Sequence, residues 1–464
     1  MMRVRAVESA LSLLLASSLA AQGSVAPPAA AVEPIAARIA RLVAGVSATE
    51  IERTIRELCA FGTRHVLSRT DSEVEGTGAA RRYLTARFKD LAARSGSRLT
   101  VELQSGVVAV ARDGMPSEVA VVNVIATLPG ATDGERVYVV GGHYDSRNSD
   151  GANGTRVAPG ANDDGSGTAV ALEVCRLLCA ETFAATIVFC AFDGEEQGLI
   201  GSKFCAQSMS DQSLEIDGMI GCDIVGNTIG MDGVRRADVV RCFSYALDGN
   251  DSLGRSMARA LTYATREHGI RPSVQLVFRG DRYGRGGDHR SFFEAGYPAV
   301  RLTEPREDYS RQHQDLSERE GKSYGDLPEY VDFDYTAAVA RVVAATIAEL
   351  ASAPPPPRIR SIRASRTAYD TEVEFEVPAA AASFEFVQRL TTSPDWEGVI
   401  AAANVEATVE TKVAATANGR RRALLKGAVL DDLVIGLRSI GGDGARSRAA
   451  TPPDPDRMQR GRAR

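Results

Sequence analysis

The chain has 464 residues, of which 44% are apolar and 25% charged. That composition belongs to an ordinary globular protein and excludes wholesale disorder, and the length suits about three domains. A formal net charge of −6 argues against nucleic acid as the main partner.

At the N-terminus, Arg3 and Arg5 precede an apolar run from Ala10 to Ala16, and Ser18-Leu19-Ala20 offers small residues for cleavage. The pattern predicts an export signal over residues 1–20 and a secreted or periplasmic protein. The run is too short to span a bilayer, and no later segment approaches 18 unbroken apolar residues, so no membrane span is expected in the mature chain. Residues 21–33 are Ala/Pro-rich and read as a disordered linker. Seven cysteines, at 59, 175, 179, 190, 205, 222 and 242, form no CxxC pair. The odd number leaves at least one thiol unpaired within the chain, and most sit in apolar runs as small core residues.

Helical spacing appears at Ile35–Leu42, at Ala48–Leu58 with Ser47 or Thr49 as cap, and at Gly78–Leu91. His65, in the loop Phe61–His65, reads as a structural histidine. Leu99–Leu103 and Val119–Leu128 read as strands, the second stopped by Pro129-Gly130.

From Val137 onward, apolar runs repeatedly end in metal-seeking side chains. Val137–Val140 reads as a buried central strand and delivers Gly141-Gly142-His143. His143-x-Asp145 suits a metal ligand and its support, because a ligating imidazole gives its other ring N–H to a carboxylate or carbonyl. After a polar loop, Pro159–Gly167 carries Asp163-Asp164 ahead of a helix over Thr168–Cys179. One carboxylate would serve as a helix cap, but two adjacent ones in a Gly-rich turn exceed that need. The strand Ala185–Phe192 runs into Asp193-Gly194-Glu195-Glu196, and paired glutamates there are costly to bury without a cation. The strand Met219–Val225 frames Asp223 in apolar residues. Polar ligands just past strand ends are where open α/β sheets place their sites. The pattern reads as a two-metal hydrolase.

These four blocks, in this order, resemble the zinc aminopeptidases of peptidase family M28 over roughly residues 45–350. The resemblance implies an α/β fold with a mixed, mostly parallel sheet sandwiched by helices, the zinc-exopeptidase fold. It implies two zinc ions (Zn2+) per chain, with His143 and Asp223 on one, Glu196 on the other, and Asp163 bridging both. The peptide after the bridging aspartate is cis in the family, which implies a cis Asp163–Asp164 bond. Glu195 would be the general base; Asp145, read above as the support of His143, is counted with it as catalytic. Gly287–Val300 is similar to the family's SDHxxF…GxPA block, in which the histidine, here His289, begins a helix and is not a ligand. The last ligand is a histidine four residues before an aspartate. That position is Arg311, which cannot ligate because a guanidinium stays protonated. His313, two before Asp315, is therefore taken as the sixth site residue. A tyrosine upstream of the SDH block often faces the oxyanion, and Tyr283 lies near that place.

The implied activity is that of an exported dinuclear zinc aminopeptidase acting on the N-termini of peptides or proteins. A glutaminyl-peptide cyclase with one zinc and a non-catalytic M28-like binding protein are the alternatives. Retention of every bridging-site carboxylate and of Glu195 favours the hydrolase. The sequence carries no signal for oligomeric state.

Phe333–Leu350 reads as a helix closing a catalytic domain over residues 34–352, and Pro354–Pro357 as a stiff linker over 353–357. Beyond it lie short alternating strands, Thr371–Val377, Phe384–Val387 and Val434–Leu437, with a hairpin turn at Asn418-Gly419 and Trp396 as core plug. They predict a small all-β sandwich over 358–450, similar to fibronectin type III-like modules, followed by a disordered tail over 451–464.

Overall fold

The computed structural model describes residues 32–96, 98–246, 249–400 and 420–452. The export signal, nearly all of the first linker, the Asn418-Gly419 turn and nearly all of the tail expected from the sequence lie outside these residues.

Three helices come first: α1 (Ile35–Ala44), α2 (Ala48–Ala60) and α3 (Gly76–Arg94). Ser47, not Thr49, caps α2, its hydroxyl accepting the Glu50 N–H at 3.2 Å, an interaction worth about 1 kcal/mol. The sheet then begins with β1 (Thr100–Ala109), β2 (Glu118–Leu128) and β3 (Asp133–His143). There follow α4 (Gly165–Leu178), β4 (Ala185–Phe192), α5 (Ile200–Asp211) and β5 (Glu215–Cys222). Next come β6 (Val239–Ser244), α6 (Leu253–Glu267), β7 (Ser273–Val277), α7 (His289–Glu294) and β8 (Ala299–Thr303). A short hairpin, β9 (Ser317–Arg319) and β10 (Lys322–Tyr324), precedes α8 (Phe333–Ser352).

The main sheet has the order β1-β2-β4-β3-β5-β8-β6-β7. Its centre, β4-β3-β5-β8, is parallel, while β1, β2 and β6 introduce antiparallel pairings. Side chains alternate between two apolar layers. Tyr138, Val140, Ile187, Phe189 and Ala191 face α1–α4, α6 and α8, whereas Val137, Val139, Val188, Cys190 and Phe192 face α5 and α7. Helix α8 is long and apolar enough to cross a membrane by length and composition, but it is packed into the first layer and 83% of its most apolar window is buried.

The chain leaves β3 for β4 on one side and then crosses to β5 on the other. That reversal opens a crevice above the C-terminal end of β3. Glycines let the neighbouring elements close on it. A Cβ on Gly142 would lie 2.6 Å from the Gly167 carbonyl carbon, so the start of α4 sits directly on the end of β3.

Beyond α8 are two three-stranded antiparallel sheets. One is β11 (Arg358–Ala364), β12 (Thr371–Glu376) and β15 (Arg421–Leu425); the other is β13 (Ser383–Leu390), β14 (Gly398–Val399) and β16 (Leu433–Ile440). Ile359, Val373 and Phe375 from the first share a core with Phe386, Ile435 and Leu437 from the second. Trp396 is not in that core. It packs instead with Val387 and Ala449 in a separate cluster, its ring lying over Gly436, and this corrects the expectation that it plugs the sandwich.

The segment after α8 is pinned to the larger sheet. Arg136 donates to the carbonyls of Leu350 at 3.1 Å and Ala353 at 2.6 Å. Arg448 pairs with Asp217, which also accepts the Tyr138 hydroxyl at 2.5 Å. Glu349 accepts the Arg446 N–H at 2.7 Å and lies 2.8 Å from His268 Nε2. Arg136 and Asp217 sit at the N-terminal ends of β3 and β5, so the appended sheets dock on the edge opposite the crevice. Replacing Arg448 with Met leaves Asp217 short of its buried partner, which costs about 3–5 kcal/mol. Denaturant unfolding should show a lower midpoint with an unchanged slope.

Candidate metal centre

Four strand or helix ends converge on the crevice. β3 ends on His143, the turn before α4 carries Asp163 and Asp164, the loop after β4 carries Glu195 and Glu196, and Asp223 follows β5. The sequence pattern extends that last strand to Val225. The structure ends it at Cys222, because Ile224 turns into the left-handed region (φ 60°) and Asp223 projects from the strand's end. His313 comes from the loop between β8 and β9. Its own left-handed backbone (φ 52°) turns the imidazole inward, while the Arg311 guanidinium stacks on the Tyr330 ring, 3.4 Å from its centroid.

The side chains form two trios, His143, Glu195 and Asp223 in one, and Asp163, Glu196 and His313 in the other. In each, the donor atoms lie within 4.8 Å of one another. Asp163 joins them, with Oδ1 3.2 Å from His143 Nε2 and Oδ2 3.0 Å from His313 Nε2. His313 Nε2 is also 3.0 Å from Glu196 Oε2, and Glu195 Oε2 is 4.0 Å from His143 Nε2. The other ring nitrogen of His143 faces Asp145, 3.2 Å from its carbonyl and 3.3 Å from its carboxylate. That carboxylate in turn accepts the N–H groups of Glu195 at 3.0 Å and Glu196 at 3.2 Å. Asp145 therefore orients both the imidazole and the glutamate pair.

Asp164 turns away from the trios. It caps α4 through the Gly167 N–H at 2.9 Å and accepts the N–H of His143 and of Ile224. The Asp163–Asp164 peptide is cis. His65 bonds the Gly151 carbonyl at 3.1 Å, and His289 bonds the Gly280 carbonyl at 2.7 Å; neither belongs to a trio. Tyr283 is 91% exposed and lines a neighbouring cleft.

Three supporting residues went unread in the sequence. Asp326 is buried and accepts the N–H groups of Asn162 and Asp163, the latter at 2.7 Å, so it sets the Asp163 turn. Arg64 binds the carbonyls of Tyr144, Pro159 and Gly160 and ties that turn to the end of β3. Arg301, fully buried, pairs with Asp223 Oδ1 at 2.8 Å and with Asp281 at 3.0 Å. An arginine inside the apolar run Pro298–Leu302 was the available signal.

The family model for peptidase family M28 matches residues 123–331. A probable zinc metalloprotease of Leptosphaeria maculans is 39% identical over 433 residues, covering 89% of this chain and 96% of the relative. One from Pyrenophora teres f. teres is 38% identical over 431 residues, covering 89% and 86%. This chain belongs to peptidase family M28. The LapA aminopeptidase of Legionella pneumophila shares the fold, with a TM-score of 0.51 at 19% identity over 68% of this chain and 74% of that one. The M28 family match ends at residue 331, whereas the similarity to the two relatives reaches well beyond it.

The donor set of this M28 chain fits divalent metal. Glu196 Oε1 is buried and makes no hydrogen bond among the described residues, and His143 Nε2 and Asp163 Oδ2 meet only other members of the trios. Orphaned buried acceptors are costly unless a cation meets them. The titration behaviour points the same way. Burial alone would lower His143, but Glu195, Asp145 and Asp163 raise it well above the ordinary imidazole range. Burial would likewise lower His313, but Glu196 and Asp163 raise it to about 10. Burial would raise Asp163, yet His143 and His313 hold it well below its usual value. Without metal, the carboxylates favour the protonated imidazoles. Ligation needs neutral imidazole, so uptake at neutral pH must release protons and apparent affinity must rise with pH toward 10. Calorimetric titration with zinc in buffers of different ionisation enthalpy should show that release. Buffer-independent heats would contradict this arrangement.

Proposed function

We propose that this chain is an exported aminopeptidase that removes N-terminal residues from peptides using two zinc ions. The observation that carries the reading is Asp163, placed between the imidazoles of two separate donor trios. In it, His143, Asp163 and Asp223 would hold one zinc, and Asp163, Glu196 and His313 the other. The zinc-metalloprotease relatives support that choice of metal, as does an all-N/O donor set. The N-terminal arginines and apolar run support export.

Bound zinc would supply Lewis acidity for the scissile carbonyl and would lower the pKa of a water to about 7. Glu195 would take a proton from the attacking water and pass it to the leaving amine. Burial first, then Asp223, Glu196 and Asp288, raise its proton affinity well above that of an ordinary carboxylate, with His143 opposing. A cation alongside draws it back toward the range where a general base works. Asp145 keeps the base in place through the Glu195 N–H.

Exopeptidase action would set the substrate's free α-ammonium group against the carboxylates of the trios, a charge-assisted contact that an acetylated N-terminus cannot make.

Glu195→Gln should lower kcat by about 10^3-fold or more while metal content stays at the wild-type level. The assay is hydrolysis of aminoacyl anilides alongside metal analysis of the same preparation. Nα-acetylation of the substrate should abolish hydrolysis. A Glu195→Gln enzyme that still turns over, or efficient cleavage of acetylated substrate, would discard the reading.

A further inference from the structure

Next to the trios is an open cleft of about 480 Å³. Phe243 and Phe278 wall it, and two exposed tyrosines, Tyr283 and Tyr309, stand at its rim. Its charged groups are Arg241, Arg279, Arg282 and Glu307. Glu307 is buried and shared by three guanidinium groups, those of Arg241 at 2.9 Å, Arg282 at 2.8 Å and Arg285 at 3.1 Å. A second carboxylate, Asp281, meets Arg282 but is already shared with Arg301, so guanidinium groups outnumber carboxylates and the cleft is positive. Arg279 adds to the excess. It is exposed, and among the described residues its side chain makes no hydrogen bond or ion pair. A positive cleft on a chain of net charge −6 concentrates anions where the rest of the surface repels them.

Ion pairs and a hydrogen bond link the cleft's residues to those around the metal centre. Arg282 binds Asp281 at 3.1 Å, and Asp281 binds Arg301, the partner of Asp223. Arg285 donates to Gln312 Oε1 at 3.0 Å, beside His313. Between them Gly287 passes so close to Asp223 that a Cβ there would lie 2.9 Å from Oδ2.

We infer that this cleft receives a carboxylate of the peptide substrate near the scissile bond, with Arg279 as its charged partner. The aromatic walls suit the methylenes of an acidic side chain, and the tyrosine hydroxyls can donate to its oxygens. The inference rests on the peptidase reading above and adds a substrate class to it, peptides that are acidic next to the cleaved bond.

The test uses the full chain with zinc and a set of short peptides. Glu-Leu-amide, Leu-Glu-amide and Leu-Leu with a free carboxyl terminus each carry one carboxylate, in three different places, and Leu-Leu-amide carries none. At least one of the first three should be cleaved with a kcat/KM about ten-fold above that of Leu-Leu-amide, as a charge-assisted pair would give. Which one shows whether a side chain or the chain terminus occupies the cleft. Arg279→Gln should remove most of that ratio, and Arg279→Lys should keep part of it. No carboxylate preference, or a ratio that Arg279→Gln leaves unchanged, overturns the inference. If no peptide is cleaved, the peptidase reading has failed, and calorimetric binding of glutarate then decides the cleft's role. Binding about ten-fold tighter to the wild type than to Arg279→Gln supports it, and equal affinity overturns it.

Discussion

The structure turns on a concentration of buried carboxylates that its own cations do not balance. Asp145, Asp163, Asp164, Glu195, Glu196 and Asp223 meet above β3, and the protein offers them two imidazoles and the guanidinium of Arg301. A carboxylate removed from water costs several kcal/mol unless compensated. Such a cluster persists only because the surrounding backbone spends its N–H groups on it. Asp145 and Asp164 each take at least two. Asp326, itself buried, holds the turn that points Asp163 into the centre; burial raises it to about 7 despite the N–H groups of Asp163 and Asn162. The fold thus prepares a pocket of negative charge and leaves its inner oxygens for an ion.

That preparation depends on where the main chain reverses. Because β4 and β5 flank β3, the ends of three adjacent parallel strands and the start of one helix open onto the same crevice. Glycines at 142 and 167 allow backbone contact there that any side chain would block. The helices behind are set by ordinary apolar burial, and the chemistry is carried by residues at the strand ends.

Much of this was legible in the sequence where the signal was local. Each central strand is a run of apolar residues ending in a charge, so the positions of His143, Asp163, Glu195, Glu196 and Asp223 could be read from a few neighbours. Legibility fell where partners are far apart along the chain. The stretch from 226 to 286 yielded no elements, although β6, α6 and β7 lie there; β6 and β7 are short strands, β6 taking its register from β8 and the edge strand β7 from β6. Arg301 and Asp326 support the centre only through contacts 78 and 163 residues away in sequence. Trp396 belonged to no pattern that could tell a sandwich core from the side cluster it fills. His313 was read against its expected spacing, and what brings it inward is a left-handed backbone that no spacing rule encodes.

The docking of the two small sheets has a further consequence. Arg136, Asp217, Glu349 and Arg448 fasten them to the blunt rim of the large sheet, with the full length of β3 between that rim and His143. Their outward surfaces could be gripped, tethered or decorated while the entrance for substrate stays clear. The molecule has a handle at one pole and a working mouth at the other.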